Sequence, residues 1–279
     1  MFNSTAFSLD LCSSDVIITV SVIKVIGERM KIGIAGHGYV GKAHELILKD
    51  YHDLIIYDPA LGHYGDMRHA DAIIVCVSTP EGSHGGCHMD NVYCIIEDNP
   101  NVPILIKSTI SIEGWDMLKH VFPHTSITFS PEFLRAATAL EDFQNTNTIL
   151  LGSGNTGFWA DIFVTAMGNI NIDIATAQEL ILTKYARNSF LALKVAYFNQ
   201  INDLCTKLNV DYDKVRQYTT IDNRIGESHT TITDERGFGG HCFPKDTEAF
   251  VTSSKRVDSN LSILEHAIEY NRSIRKGTT

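Results

Sequence analysis

The amino-acid sequence predicts an α/β fold: a doubly wound, Rossmann-type sheet, followed by a long central helix and a small helical domain. Three observations predict it. From Met30, short runs rich in Val and Ile alternate with amphipathic segments, as buried parallel strands and the helices covering them require. A glycine-rich turn joins the first run to the first amphipathic segment. Beyond residue 175 the strand-like runs stop, and Thr176–Leu208 continues without a single Gly or Pro, the mark of one long helix.

The strand runs are Lys31–Ala35, Leu54–Tyr57, Ala72–Val77, Ile104–Lys107, Ser126–Phe129 and Thr148–Leu151. Helical periodicity fills Val40–Asp50, Asn91–Asp98 and Ser111–Val121 between them. The link from Asp58 to Ala72 is short, so one crossover helix is reduced or missing. Thr156–Met167 reads as a helix and Asn171–Ile174 as a strand. Asp211–Tyr218, Asp246–Ser253 and Leu261–Arg275 follow the long helix as further helices. The expected domains are an N-terminal extension (1–29), a dinucleotide-binding sheet domain (30–175) and a helical central domain (176–279).

Composition narrows the function classes. The 279 residues are 44% hydrophobic and 20% charged, with 23 Lys+Arg against 33 Asp+Glu and a net charge of −10. A packed core is expected, and no basic field for nucleic acid is visible. No apolar run approaches the roughly 20 residues needed to span a bilayer. The six cysteines are irregularly spaced, which argues for free thiols in a reducing cytoplasm.

Gly36-His37-Gly38-Tyr39-Val40-Gly41 follows a strand and opens a helix. The first glycine suits the tight turn, the second lets the backbone approach a pyrophosphate, and the third packs helix on sheet. Asp58 ends the second strand, where a carboxylate accepts from a ribose diol and repels a 2′-phosphate. NAD is the expected cofactor; a merely structural turn is the alternative.

Lys184 and Asn188, four residues apart, share a face of the long helix that Leu191, Val195 and Phe198 continue. Either Lys184 snorkels to water, or the pair is aimed at a developing oxyanion. Gly237-Phe238-Gly239-Gly240-His241-Cys242-Phe243-Pro244-Lys245-Asp246 then places Cys242 beside a helix N-terminus, with Lys245 close. Both features favour thiolate, the form that attacks carbonyls. Cys76, Cys94 and Cys205 sit in apolar patterns and read as buried cysteines. A zinc site on His84, Cys87, His88 and His241 matches no common ligand spacing, so no metal is expected.

Taken together, these motifs resemble the UDP-glucose/GDP-mannose dehydrogenase family, and its UDP-glucose branch most. The matching stretches run in the family's order: Gly36–Gly41, Cys76-Val77-Ser78-Thr79-Pro80, Lys107-Ser108-Thr109, Ser130-Pro131-Glu132-Phe133-Leu134-Arg135, Lys184–Asn199, Asp222-Asn223-Arg224-Ile225-Gly226 and Gly237–Asp246. The resemblance implies oxidation of UDP-glucose to UDP-glucuronate with NAD, through a thiohemiacetal and a thioester. It implies Cys242 as nucleophile, Lys184 and Asn188 as the oxyanion pair, and Thr109, Glu132 and Asp246 as the groups handling water and protons. Gly36, Gly38, Tyr39, Val40, Gly41, Asp58, Ser78, Thr79, Pro80, Thr109 and Lys245 would hold the cofactor. Phe133, Leu134, Phe238 and Gly239 would contact the substrate, and Arg224 would reach a sugar nucleotide in the partner subunit of a homodimer built on the long helix.

Two departures stand out. A second family glutamate, four residues after Glu132, is Ala136 here, and a counterpart of the carboxyl-terminal domain that holds uridine diphosphate in the family is expected to be lacking. The alternatives are therefore a shortened, NAD-binding, non-catalytic relative and a two-electron 3-hydroxyacid dehydrogenase.

Overall fold

The computed structural model describes residues 29–80, 82, 87–240 and 242–276. The N-terminal extension up to residue 28, and His84 and His241 of the zinc alternative, lie outside the described residues.

Eight strands form one sheet in the order β3-β2-β1-β4-β5-β6-β7-β8. They are β1 (Lys31–Ala35), β2 (Asp53–Asp58), β3 (His63–Tyr64), β4 (Ala72–Val75), β5 (Ile104–Ile106), β6 (Ile127–Phe129), β7 (Thr148–Gly152) and β8 (Asn171–Ala175). β2, β1, β4, β5 and β6 run parallel, β3 pairs antiparallel to β2, and β7 pairs antiparallel to β6 and parallel to β8. The strands are apolar throughout because both faces are covered. Ile32, Ile74 and Leu105 pack with Leu48, Trp159 and Phe163 on one face. Ile73, Val75, Ile104 and Ile106 pack with Trp115, Leu118 and Tyr185 on the other.

The helices are α1 (Tyr39–Leu48), α2 (Asp90–Asp98), α3 (Ile112–Val121), α4 (Ala139–Gln144), α5 (Thr156–Met167), α6 (Ala177–Leu208), α7 (Tyr212–Thr220), α8 (Phe243–Lys255) and α9 (Ser262–Ile274). The expected short link between β2 and β4 is two single 3₁₀ turns around β3, with no crossover helix. Strand order reverses between β1 and β4, so their carboxyl ends open a ligand crevice. The segments after β1, β4, β5 and β6 begin at Gly36, Cys76, Lys107 and Ser130, and all end at this edge.

Thr176 and Glu179 start α6 with a reciprocal capping box, and Asn209, with φ of 54°, stops it. At about 1.5 Å per residue, its 32 residues span about 48 Å. Its first turns (Ala177, Leu180, Ile181, Tyr185) belong to the sheet core. Ala192 and Ala196 pack farther along with Phe238, Val251, Leu264 and Ile268. Lys184 and Asn188 therefore sit where the two cores meet.

Among the other cysteines, Cys205 is buried as expected and Cys76 is half-buried, but Cys94 is exposed. Val92, Ile95 and Ile96 carry the inward face of α2, which turns Cys94 to the opposite side. No helix of the described residues is long and apolar enough to cross a membrane, and among them no three His, Cys, Asp or Glu side chains could hold a metal.

His44 on α1 is fully buried, with its ring 4.6 Å from that of Phe143. Nδ1 donates to Val40 O at 2.9 Å. Burial, reinforced by Lys107, lowers its pKa from 6.5 to about 4. A base whose folded pKa lies below its unfolded one binds fewer protons when folded, so stability falls as pH drops through that window. His44→Leu should remove about 3 kcal/mol of the wild-type loss between about pH 6.5 and pH 4, measured as the difference between urea unfolding curves.

Candidate active site

The glycine loop divides its labour as the spacing predicts. Gly36 has φ of +89°, and a Cβ there would meet the Cys76 carbonyl at 2.6 Å. A Cβ on Gly41 would stand 2.1 Å from Gly36 O. Gly38 differs: a Cβ there would meet no protein atom within 4 Å, although Gly38 caps α1 and no side chain closes that helix end. The result is a backbone cradle beneath an open helix N-terminus, which fits the pyrophosphate of a dinucleotide. Asp58 Oδ2 accepts the His37 backbone N–H at 2.7 Å, so the acidic residue also braces the loop. Thr79 Oγ1 donates to Thr109 O at 2.6 Å, Asn91 donates to Ser78 O, and Ser108 donates to Val77 O. These bonds tie the cofactor-side loops after β4 and β5 together, with Ser78 and Pro80 exposed above them.

Glu132, just past β6, is buried. Its Oε1 accepts from the N–H groups of Phe133 (2.7 Å) and Leu134 (3.0 Å). Its Oε2 faces Lys107 Nζ at 3.3 Å. Lys107, itself buried, donates to Ser130 Oγ and Pro131 O. Burial opposes the carboxylate charge, but Lys107, then His44 and Lys184, outweigh it and lower the pKa. Glu132 is thus a buried carboxylate held ionised. Lys107 was not singled out from the sequence as a site residue; its signal is a lysine closing an otherwise buried apolar strand.

Cys242 is exposed and is the N-cap of α8. Its sulfur lies 3.8 Å from the Tyr39 hydroxyl of the glycine loop, which joins the thiol to the cofactor cradle. Burial, followed by the charge on Cys242, raises the Tyr39 pKa well above its usual range. Burial likewise raises the thiols of Cys76 and Cys87; Cys87 Sγ sits 3.6 Å from the Tyr185 hydroxyl.

Asp246 organises the opposite wall. It is 1% exposed and accepts from Asn188 Nδ2 at 2.6 Å and Lys245 Nζ at 2.7 Å. Burial disfavours the Lys245 ammonium, but Asp246 prevails and raises its pKa. Lys184 is buried rather than snorkelling. Burial lowers its pKa against the pull of Asp246 and Glu132. The arrangement gathers a thiol, an ammonium, an amide and two carboxylates around one crevice, as addition of a thiol to a carbonyl requires.

Other residues stand farther back. The Phe238 ring lies in the helical core, and its backbone N–H and C=O bond Asn271. A Cβ on Gly239 would stand 2.1 Å from the Arg275 guanidinium. This loop is therefore pinned from α9, and Phe238 offers no side chain to a ligand. Phe133 and Leu134 are half-exposed beside Glu132. Arg224 is exposed and paired with Asp222; Lys194 tethers its loop through Ile225 O and Gly226 O. Ala136 lines a cavity of about 390 Å³ with Tyr39, Lys42 and the 137–141 segment.

Residues 63–161 match the NAD binding domain of the UDP-glucose/GDP-mannose dehydrogenase family, and residues 178–273 match its central domain. The cofactor is accordingly NAD. A UDP-glucose 6-dehydrogenase from Rhizobium meliloti is 27% identical over 87% of this chain and 67% of its own length. One from Rickettsia felis is 30% identical over 74% of this chain and 49% of its own length. The chain thus spans about half to two thirds of the curated relatives it matches. A UDP-glucose dehydrogenase structure from Pyrobaculum islandicum superposes with a TM-score of 0.79 at 24% identity, over 91% of this chain and 70% of that one. A 3-hydroxyisobutyrate dehydrogenase from Mycobacterium tuberculosis shares the fold with a TM-score of 0.67 at 15% identity, over 88% of this chain and 94% of that one. With the NAD binding and central domains both matched, the chain belongs to the UDP-glucose/GDP-mannose dehydrogenase family.

Proposed function

We propose that this chain oxidises the primary alcohol of a nucleotide sugar, UDP-glucose, to the carboxylate, with Cys242 as the covalent nucleophile. The observation that carries this reading is the Cys242 sulfur, exposed at a helix N-cap and 3.8 Å from the Tyr39 hydroxyl of the cofactor loop. NAD supplies the hydride acceptor, once for each two-electron step. Glu132 takes the alcohol proton as the aldehyde forms and releases it to solvent, which frees the carboxylate for the hydrolytic step; Thr109 is assigned to the same proton handling by the family resemblance. The Cys242 thiolate adds to the aldehyde carbon, and the oxyanion of the thiohemiacetal rests on the Lys184 ammonium and the Asn188 amide. Loss of the second hydride gives a thioester. Water deprotonated by Glu132 attacks it, releasing the carboxylate and returning the electron pair to sulfur. Asp246 holds Asn188 and Lys245 in place throughout.

In this scheme residues 30–175 hold the cofactor and 176–279 bring the thiol to it, in a cytoplasmic setting that keeps thiols reduced. Supplied with UDP-glucose and excess NAD, the protein should yield two NADH per sugar. One NADH per sugar would point to the two-electron alternative, and none to a non-catalytic relative.

The reading includes a homodimer through α6. Phe190, Tyr197 and Leu204 are 66%, 57% and 51% exposed and recur every seven residues, which makes one apolar stripe along the helix. Tyr197→Glu combined with Phe190→Glu should convert the dimer to monomer in light scattering. Unchanged mass would remove α6 as the interface.

A further inference from the structure

The arginines of this chain are almost all spoken for. Arg29, Arg68, Arg135, Arg216, Arg224, Arg236, Arg256, Arg272 and Arg275 each pair with a carboxylate within 4 Å. Among the described residues Arg187 is the one arginine without such a partner. In a chain with net charge −10, carboxylates are abundant, so an unpaired guanidinium is informative.

Its position is informative too. Arg187 immediately precedes Asn188 on α6, and its guanidinium lies over the Phe133 ring at 3.7 Å. The planar group is thereby held rigid, with its edge N–H donors uncommitted, beside the Glu132–Leu134 segment. Arg187 is solvent-exposed, so a ligand can reach its charge, and no carboxylate of the described residues stands within 4 Å to compete for it. An anionic ligand would supply the counter-charge. A stacked guanidinium is well suited to phosphate, which it grips through two parallel N–H donors.

Three anionic groups enter the reaction proposed above. The cofactor pyrophosphate belongs at the N-terminus of α1, in the cradle at Gly38. The product carboxylate forms at Cys242, against Lys184 and Asn188. Arg187 is turned about 100° around the helix from Asn188, off that row and toward Phe133, so the third group remains. We infer that Arg187 binds the diphosphate of the nucleotide-sugar substrate. This inference rests on the nucleotide-sugar reading and adds a residue of this chain's own to the recognition of the nucleotide.

Direct binding keeps the two ideas separable. Titration calorimetry with UDP-glucose, UDP and NAD on wild type, Arg187→Ala and Arg187→Lys reads affinity without turnover. Arg187→Ala should weaken UDP-glucose and UDP by about 10- to 100-fold, the range of a lost charge-assisted bond, with NAD unchanged within about twofold. Arg187→Lys should recover part of the loss. Wild-type UDP binding that depends on Arg187, in a protein that forms no NADH, would sustain this inference and defeat the catalytic reading. Undiminished UDP binding by Arg187→Ala would overturn it while leaving catalysis intact. An equal loss for NAD, or no UDP binding by the wild type, would overturn it as well.

Discussion

Cys242→Ala is expected to reduce NADH formation from UDP-glucose by at least about 1,000-fold, because it removes the nucleophile on which both later steps depend. What turnover remains should stop at the aldehyde, with no more than one NADH per sugar. The substitution should leave the fold intact. The thiol is exposed at the α8 N-cap and belongs to none of the three core clusters, so stability should change by less than about 0.5 kcal/mol. NAD affinity should hold within about twofold, since the cradle is made by Gly36, Gly38 and Gly41 with Cys76 and Val77 beneath it. Rapid-mixing absorbance for NADH, together with calorimetric NAD binding on the same preparation, checks both halves. Two NADH per sugar from the alanine variant would dispose of the covalent mechanism. A neighbouring thiol is a poor substitute, because burial raises the pKa of both Cys76 and Cys87 and withdraws the reactive form.

What could be read in advance follows the range of the forces involved. The Val- and Ile-rich runs and the long gap without Gly or Pro are local signals, and β1, α5 and α6 begin and end within a residue of where the pattern places them. The glycine loop was legible from its spacing alone, although only Gly41 answers to an atom of the loop itself, while Gly36 meets the distant Cys76 and Gly38 meets no protein atom. Partners fixed across the chain were not legible. Lys107 is an ordinary strand-end lysine in sequence and becomes the counter-charge of Glu132 only when β5 and β6 pair. Whether Lys184 snorkels or points inward was undecidable from α6 alone, because Asp246, 62 positions on, comes from another helix. The glycines before Cys242 suggested ligand approach. One of them is required by the protein itself: Gly237 has φ of +60°, and a Cβ there would collide with Asn271, whereas a Cβ on Gly239 would only displace the end of the Arg275 side chain. The short α4 and β3 escaped because six residues and two residues are too few to show a period.

Asp246→Asn and Asp246→Ala separate what this carboxylate does for the fold from what it does for the chemistry. Asp246 is buried in the first turn of α8, where a negative charge is favoured, and it stands against both Lys184 and Lys245. Alanine leaves those ammonium groups without their main counter-charge, and breaking a buried ion pair from one side costs about 3–5 kcal/mol. Against a total stability of about 5–15 kcal/mol for a domain, Asp246→Ala should unfold at much lower urea. Asparagine keeps the volume and one acceptor for Asn188, so its stability cost should be closer to 1–2 kcal/mol. Its kinetic effect should still be large. Burial already lowers the Lys184 pKa, and Asp246 is the first influence opposing it. Removing the charge lowers that pKa further, so the ammonium that holds the oxyanion is lost at lower pH. The alkaline limb of kcat should therefore move to lower pH in Asp246→Asn, and kcat at pH 8 should fall further below wild type than kcat at pH 6.5. A limb that stays in place would mean that the charge of Asp246 does not govern Lys184, and that its contribution is confined to orienting the Asn188 amide.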